Sequence, residues 1–181
     1  MGEGSPRVFI SYAHDDHNIP GHMARALELA ESLRNRGVMS YIDRWAEHEG
    51  PFWPRWMADQ IRDADFVLCL PSPLYKERCE QLGNRATGLG ARWEGALITQ
   101  AMYLDIVAAP AKFLTVLLDG THPGHIPDVL MPYGYSHFRW RADDELLYRR
   151  ITGQPLFKPP PLGALVRYLE DQECSPRPFE L

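Results

Sequence analysis

Short apolar runs and amphipathic stretches alternate along the chain. Runs rich in β-branched and aromatic residues predict five strands, over 7–12, 38–42, 66–70, 113–118 and 135–140. Apolar positions at helical spacing predict the main helices, over 19–36, 53–62, 91–104 and 143–151. This alternation is typical of a parallel sheet that is covered by helices on both faces.

The alternation of strands and helices predicts an α/β fold. We expect a single doubly wound, flavodoxin-like domain with a five-stranded parallel sheet and the first strand at its centre. We expect the domain over 7–170, after a disordered N-terminus at 1–6 and before a tail or linker at 171–181. Polar composition predicts loops over 43–53 and 76–90, with room for one helical turn in the second. A last short helix is expected over 162–169, after a polyproline break.

Length and charge narrow the class of protein. The chain has 181 residues, enough for one full hydrophobic core. Its net charge is -5 and its Lys and Arg residues are scattered, which disfavours nucleic acid or an anionic membrane as the partner. No apolar run is long enough to span a bilayer, and the N-terminus lacks the layout of a signal peptide. We therefore expect a cytoplasmic protein.

The three cysteines predict neither a disulfide framework nor a zinc ribbon, because their number is odd and no C-x-x-C spacing occurs. Cys69 lies in an apolar run and is expected to be a small buried residue. Cys79 and Cys174 lie in polar surroundings and are expected to be free thiols.

In a parallel sheet of this kind, ligands bind outside the carboxyl ends of the strands. The loops after Tyr12, Ile42, Leu70 and Leu118 should therefore form the functional edge. Neither G-x-G-x-x-G after the first strand nor a P-loop motif is present, which disfavours a redox dinucleotide domain and a P-loop enzyme. The cluster over 14–17 contains two His and two Asp, but no further residues at metal-ligand spacing. It therefore predicts a solvated loop and no metal site.

Four stretches in order resemble TIR (Toll/interleukin receptor) domains, and more closely their SEFIR relatives. They are Val8–Asp16, Tyr41–Asp43 with 47–53, Ala64–Pro73, and Arg92–Ala101 followed by Phe113–Gly120. The first resembles the opening strand of the family, and the second resembles its second strand and BB loop. The third matches the strand that ends in Ser-Pro, and the last matches the glutamate-bearing helix and the fourth strand. The resemblance extends from Arg7 to Ile151.

The resemblance implies two possible roles. Some TIR domains are scaffolds that assemble through homotypic contacts, whereas others cleave the nicotinamide–ribose bond of NAD⁺ with a glutamate on the third helix. Glu94 occupies the matching position. A fixed carboxylate there can stabilise an oxocarbenium-like ribosyl cation, and the start of a helix favours its ionised form. Because Trp93 directly precedes Glu94, unlike in many catalytic relatives, Glu77 and Glu80 remain alternatives.

The family pattern and the predicted edge together give a set of substrate-binding candidates. They are Ser11, Tyr12, Asp43, Trp45, Ser72 and Trp93. Each has a plainer alternative: strand-end capping for the first two, a surface loop for the next two, a rigid turn for Ser72 and a core position for Trp93. We expect Glu94 to line the largest cleft, with Tyr12, Ser72 or Trp45 across it.

The leading hypothesis is an NAD⁺ glycohydrolase or an ADP-ribose cyclase in immune or cell-death signalling. NAD⁺ is then a substrate, and no cofactor is needed. By the same resemblance, self-association through TIR-type contacts, with a fused or partner sensor domain, switches the activity on. The main alternative is a non-catalytic homotypic scaffold, and a third is another nucleoside-binding α/β domain.

Overall fold

The computed structural model describes residues 4–80, 109–132 and 137–167. The strands are β1 Arg7–Tyr12, β2 Met39–Tyr41, β3 Phe66–Leu70, β4 Phe113–Leu117 and β5 His137–Arg139. The α-helices are α1 His22–Asn35, α2 Asp43–Ala46, α3 Trp53–Asp63, α4 Pro73–Glu80, α5 Ala109–Lys112 and α6 Asp144–Thr152. Two 3₁₀ turns lie at Glu47–Glu49 and Pro123–His125.

The five strands form one sheet in the order β2-β1-β3-β4-β5, and every neighbouring pair is parallel. This confirms the predicted flavodoxin-like α/β fold. The predicted position of β1 is wrong by one place, because β3 is the middle strand and β1 lies between it and the short edge strand β2. The longest register joins β1 to β3, from Val8 opposite Phe66 to Tyr12 opposite Leu70.

Alternate residues of the inner strands enter two separate cores. Val8 and Ile10 face a core with the apolar side of α1, which includes Leu29, and with Leu147 of α6. Phe9 belongs to the second core, which also contains residues of α3 and α4. Both faces of the sheet are therefore buried, as the doubly wound pattern requires.

The segment predicted as a loop over 43–53 instead begins with α2 and a 3₁₀ turn, which ends at Gly50 with φ 56°. The described part of the segment 76–90 is the end of α4, in line with the single helical turn for which that prediction left room. The Ser72 hydroxyl caps the helix by accepting a hydrogen bond from the Tyr75 amide, and Pro73 occupies the first helical position. Both features favour the start of a helix at this point. The rest of that loop, and the helix predicted over 91–104, lie outside the described residues.

Two further expectations need correction. Residues 162–167 form no helix and are exposed, with Leu165 82% accessible, because an isolated amphipathic turn has no surface on which to bury its apolar side. Cys79 is a free thiol, but it is buried in the second core rather than in polar surroundings. Cys69 is buried, as predicted. Of the described helices, none has the length and apolar character needed to cross a membrane.

Truncating the first core should destabilise the whole domain. Leu29 is fully buried on α1, so Leu29→Ala should lower the free energy of unfolding by about 2–5 kcal/mol through lost burial and a residual cavity. Leu146, which is 46% exposed on α6, is the matched control, and Leu146→Ala should change stability little. Urea denaturation of the three proteins measures both values, and equal losses would contradict the assigned core.

Candidate functional site

A pocket of about 340 Å³ opens at the carboxyl end of β1. It lies where parallel sheets of this kind bind ligands. Three segments supply its walls: β1 with the residues after it, the turn after β2, and the first turns of α3. The lining residues are Phe9, Ile10, Ser11, Tyr12, His14, Asp43, Glu47, Trp53, Trp56 and Met57.

Tyr12 lies where the pocket meets the first core. Its side chain is only 7% exposed. Burial raises the pKa of Tyr12, and the charge of the neighbouring Asp43 carboxylate and hydrogen bonding to it raise that pKa further, so the phenol stays neutral and keeps its proton. Tyr12 and Asp43 therefore act as a pair at the wall of the pocket.

Two carboxylates form the acidic wall of the pocket. An Asp43 oxygen lies 2.8 Å from His14 Nε2, which fixes both side chains at the mouth. Glu47 Oε1 lies 3.6 Å from Arg44 Nε, and solvent weakens the attraction in this exposed ion pair. No Lys or Arg is among the described residues that line the pocket. Each carboxylate of this wall nevertheless has a basic neighbour, which is His14 for Asp43 and Arg44 for Glu47.

Two tryptophans form the aromatic wall. The Trp53 and Trp56 rings meet edge to face, with centroids 5.5 Å apart, and Trp56 also contacts the Phe9 ring at 5.8 Å. Spacing of three residues on a helix places both rings on one side of α3. Sequence reasoning assigned neither Trp53 nor Trp56 to the substrate-binding set, although this spacing was visible.

The structure brings Ser11, Tyr12 and Asp43 of the predicted set to one pocket. Ser11 is buried, and its hydroxyl lies 3.2 Å from the Tyr75 hydroxyl, with which it shares a hydrogen bond. Its side chain therefore also joins β1 to α4.

Ser72 and Trp45 do not line this pocket. Ser72 is fully buried and caps α4. Trp45, which was expected to be exposed, is half-buried against the first core, with the Arg34 guanidinium 5.3 Å from its ring centroid. The short helix α2 turns this side chain back towards α1 instead of leaving it in a loop.

Asp15 corrects the prediction of a solvated loop over 14–17. It is 1% exposed, and its two oxygens accept hydrogen bonds from the Asn18 side chain and the Leu74 amide. Burial alone would raise its pKa, but the hydrogen bonds from Leu74, Ser72 and Asn18 outweigh that effect and lower it. Asp15 thus ties the loop after β1 to the start of α4.

His22 is a second buried polar side chain near this loop. It is fully buried at the start of α1, its ring centroid is 6.4 Å from that of Tyr12, and neither ring nitrogen has a partner among the residues described. Burial lowers its pKa, although Asp15 and Asp16 act in the opposite direction. His22 is therefore held neutral in the folded protein.

Glu94 and Trp93 lie outside the described residues, so the position of Glu94 in a cleft stays a prediction. The alternatives are both on α4 and do not line the pocket. Glu77 is exposed, whereas a Glu80 oxygen accepts a hydrogen bond from the Asp128 amide at 3.1 Å.

Three solved structures have a fold similar to that of this chain. A prokaryotic SEFIR domain is 28% identical, with a TM-score of 0.57 over 88% of this chain and all of that one. The SEFIR domain of interleukin-17 receptor B is 17% identical, with a TM-score of 0.51 over 82% of this chain and 96% of that one. A metazoan TIR-STING receptor from C. gigas is 19% identical, with a TM-score of 0.52 over 84% of this chain and 42% of that one. The latter two likenesses show the fold alone.

The family follows from the sequence match. The model of the SEFIR domain family matches residues 6–151, which is most of the chain. The chain therefore belongs to the SEFIR domain family. No match was found among curated protein sequences.

Removing the charge of Asp15 should loosen the loop after β1. Asp15→Asn keeps the size of the side chain but replaces one of two acceptor oxygens with a donor, so the free energy of unfolding at pH 7 should fall by about 1–3 kcal/mol. The exposed Asp119→Asn is the control. Because the pKa of Asp15 is lowered on folding, its stabilisation should fade as the pH falls below about 4. A constant difference in urea midpoint between pH 7 and pH 3 would contradict this assignment.

His22 should make the domain sensitive to mild acid. Since the folded state lowers the pKa of His22, the unfolded chain takes up the proton first, and stability should fall as the pH drops below about 6.5. Replacing the ring in His22→Leu should flatten that slope without removing the contributions of other histidines. Thermal unfolding of both proteins between pH 7.5 and pH 5 measures it, and parallel curves would disprove the role of His22.

Proposed function

We propose that this SEFIR domain cleaves the nicotinamide–ribose bond of NAD⁺, as a glycohydrolase or an ADP-ribose cyclase, with Glu94 as the catalytic carboxylate. The observation that carries the proposal is the pocket of about 340 Å³ at the carboxyl end of β1, which Tyr12, Asp43 and Trp53 help to line. A surface used only to assemble with other copies does not need such a built concave site.

The chemistry requires few groups from the protein. Nicotinamide leaves as a neutral ring, taking the bonding electron pair, and leaves positive charge on the ribose. A carboxylate fixed beside that carbon stabilises the charge, and water or an adenine nitrogen of the same substrate completes the reaction. Glu94 is the candidate for this role because it occupies the glutamate position of the family pattern.

Self-association would switch the activity on. Phe52 is 75% exposed directly before α3, and its neighbour Trp53 lines the pocket. A copy that covers Phe52 would restrict Trp53 and order this wall. The isolated domain would populate the competent state rarely, which lowers its apparent affinity for substrate. A fused or partner sensor domain would supply the clustering.

The second candidate function is a homotypic scaffold without catalysis. The likeness in fold to a receptor SEFIR domain favours it, and so does the exposed Phe52, which can serve an interface without any chemistry. Proposed partners then reduce to other copies of SEFIR-type domains. Measured turnover separates the two functions.

The catalytic proposal predicts loss of NAD⁺ when it is mixed with concentrated protein. Glu94→Gln should reduce turnover at least about 100-fold, because the amide cannot offset the developing charge. Glu31→Gln, which changes an exposed glutamate on α1, should leave turnover unchanged. Chromatography of the nucleotide products measures both. Full activity in Glu94→Gln would contradict the assignment, and absence of turnover at any concentration would favour the scaffold.

The assembly proposal predicts that specific activity rises with protein concentration. Phe52→Ala should shift both self-association and turnover to higher concentrations, by roughly tenfold if Phe52 is a central contact. Met131→Ala, which removes an apolar side chain that is 48% exposed, is the control. Light scattering and turnover are measured over a hundredfold dilution. Specific activity that stays flat over that range would rule out the switch.

A further inference from the structure

An exposed apolar tail segment, residues 153–167, follows α6. It contains neither helix nor strand, and it lies beyond the residues that the SEFIR family model matches. Its large apolar side chains are all exposed, namely Leu156, Phe157, Leu162, Leu165 and Val166. A segment that only spaces two domains is built from Gly, Ser, Pro or charged residues and has no use for such side chains. The composition therefore indicates a segment that another body covers.

Three consecutive prolines, at 159–161, stiffen the tail segment. Each ring fixes φ and disfavours a helix at the residue before it, so this part favours the polyproline II conformation. That conformation has three residues per turn, which places every third side chain on the same side. Leu156 and Leu162 then share one side, and Phe157 lies on the next. Lys158 lies on the third side, so the segment offers a stiff apolar surface that loses little entropy on binding.

A matching aromatic surface lies at the start of α3. Phe52 is 75% exposed, more than any other large apolar residue outside the tail segment in the described part of the chain. Trp53 follows it and meets Trp56 edge to face, and both indoles are partly exposed. Clustered aromatic rings are the surface that binds proline-rich segments, because pyrrolidine rings pack against them. Phe52, Trp53 and Trp56 form an aromatic patch of this kind.

Charge favours a second copy of the chain as the body that the tail segment meets. The tail segment contains Lys158 and Arg167 and no Asp or Glu, so it carries +2. Because the whole chain carries -5, the remainder carries -7. Two remainders therefore repel each other at long range, whereas a tail segment is attracted to the remainder of another copy. The apolar side chains of the tail segment are exposed in the single chain, so its own domain does not bury them.

We propose that the tail segment of one chain docks on the aromatic patch of a second copy, with Phe157 and the prolines against Phe52 and Trp53. The contact is heterologous, because each chain offers its tail segment to one neighbour and its aromatic patch to another. This inference rests on the self-association in the proposed function, and it names the segment that covers Phe52.

A variant of the tail segment tests docking without disturbing the fold, because the altered side chain is exposed. Sedimentation velocity of the full chain over a hundredfold range of concentration measures self-association. Phe157→Ala should shift association to roughly tenfold higher concentrations, since it removes an aromatic contact. Leu146→Ala, which truncates an exposed leucine on α6, should leave association unchanged. Wild type that stays monomeric throughout, or Phe157→Ala that behaves as wild type, would overturn the inference.

A mixture of two variants tests the heterologous geometry. Phe157→Ala keeps the aromatic patch, and Phe52→Ala keeps the tail segment. Each should be monomeric alone at a concentration where wild type associates, whereas their equimolar mixture should form dimers that grow no further, because one intact pair of surfaces remains. A mixture that stays monomeric would overturn the inference, as expected if two Phe52 surfaces meet each other or if the tail segment binds a different protein.

The same preparations are assayed with NAD⁺, which separates this inference from the proposed cleavage. Dimers in the mixture, without turnover by any preparation, support docking of the tail segment and refute the cleavage. Turnover by wild type, with a mixture that stays monomeric, refutes only the docking.

Discussion

The burial of β1 and β3 on both faces is the constraint on which the rest of the structure depends. Their apolar side chains alternate between the two cores, so helices must cover both faces of the sheet. Polar and functional groups are then confined to the ends of the strands. At the carboxyl end of β1, this leaves Tyr12 at the boundary between core and pocket.

The elements around that boundary hold it in place. Asp15 joins the loop after β1 to α4 through a buried carboxylate, and the Ser11–Tyr75 hydrogen bond makes a second connection between the same elements. On the other side, Asp43 meets His14 at the mouth of the pocket. Tyr12 lies inside this frame, beside the Asp43 carboxylate.

The sequence could predict the sheet because period and length identify buried parallel strands, and the strand–helix alternation then restricts their connection. It could not predict α2, because four residues carry no helical period. The same limit applied to Asp15, whose polar neighbours indicate a solvated loop, and only the tertiary fold brings the Leu74 amide to it. The prediction that Trp45 is exposed was wrong for a related reason, because its burial depends on the first core, against which it packs.

For the pocket itself, the strand-end rule found Tyr12 and Asp43 but not the tryptophans of α3. The rule considers loops, whereas Trp53 and Trp56 come from the start of a helix that follows the functional edge. An aromatic pair three residues apart near such an edge is the pattern that could have found them.

The account depends on nucleotide binding at the end of β1. A crystal structure of the chain with a carbocyclic, non-cleavable analogue of NAD⁺ tests this most directly. The proposed function predicts that the analogue occupies the pocket at the carboxyl end of β1, in contact with Tyr12 and Trp53. An analogue bound elsewhere with this pocket unfilled would contradict it.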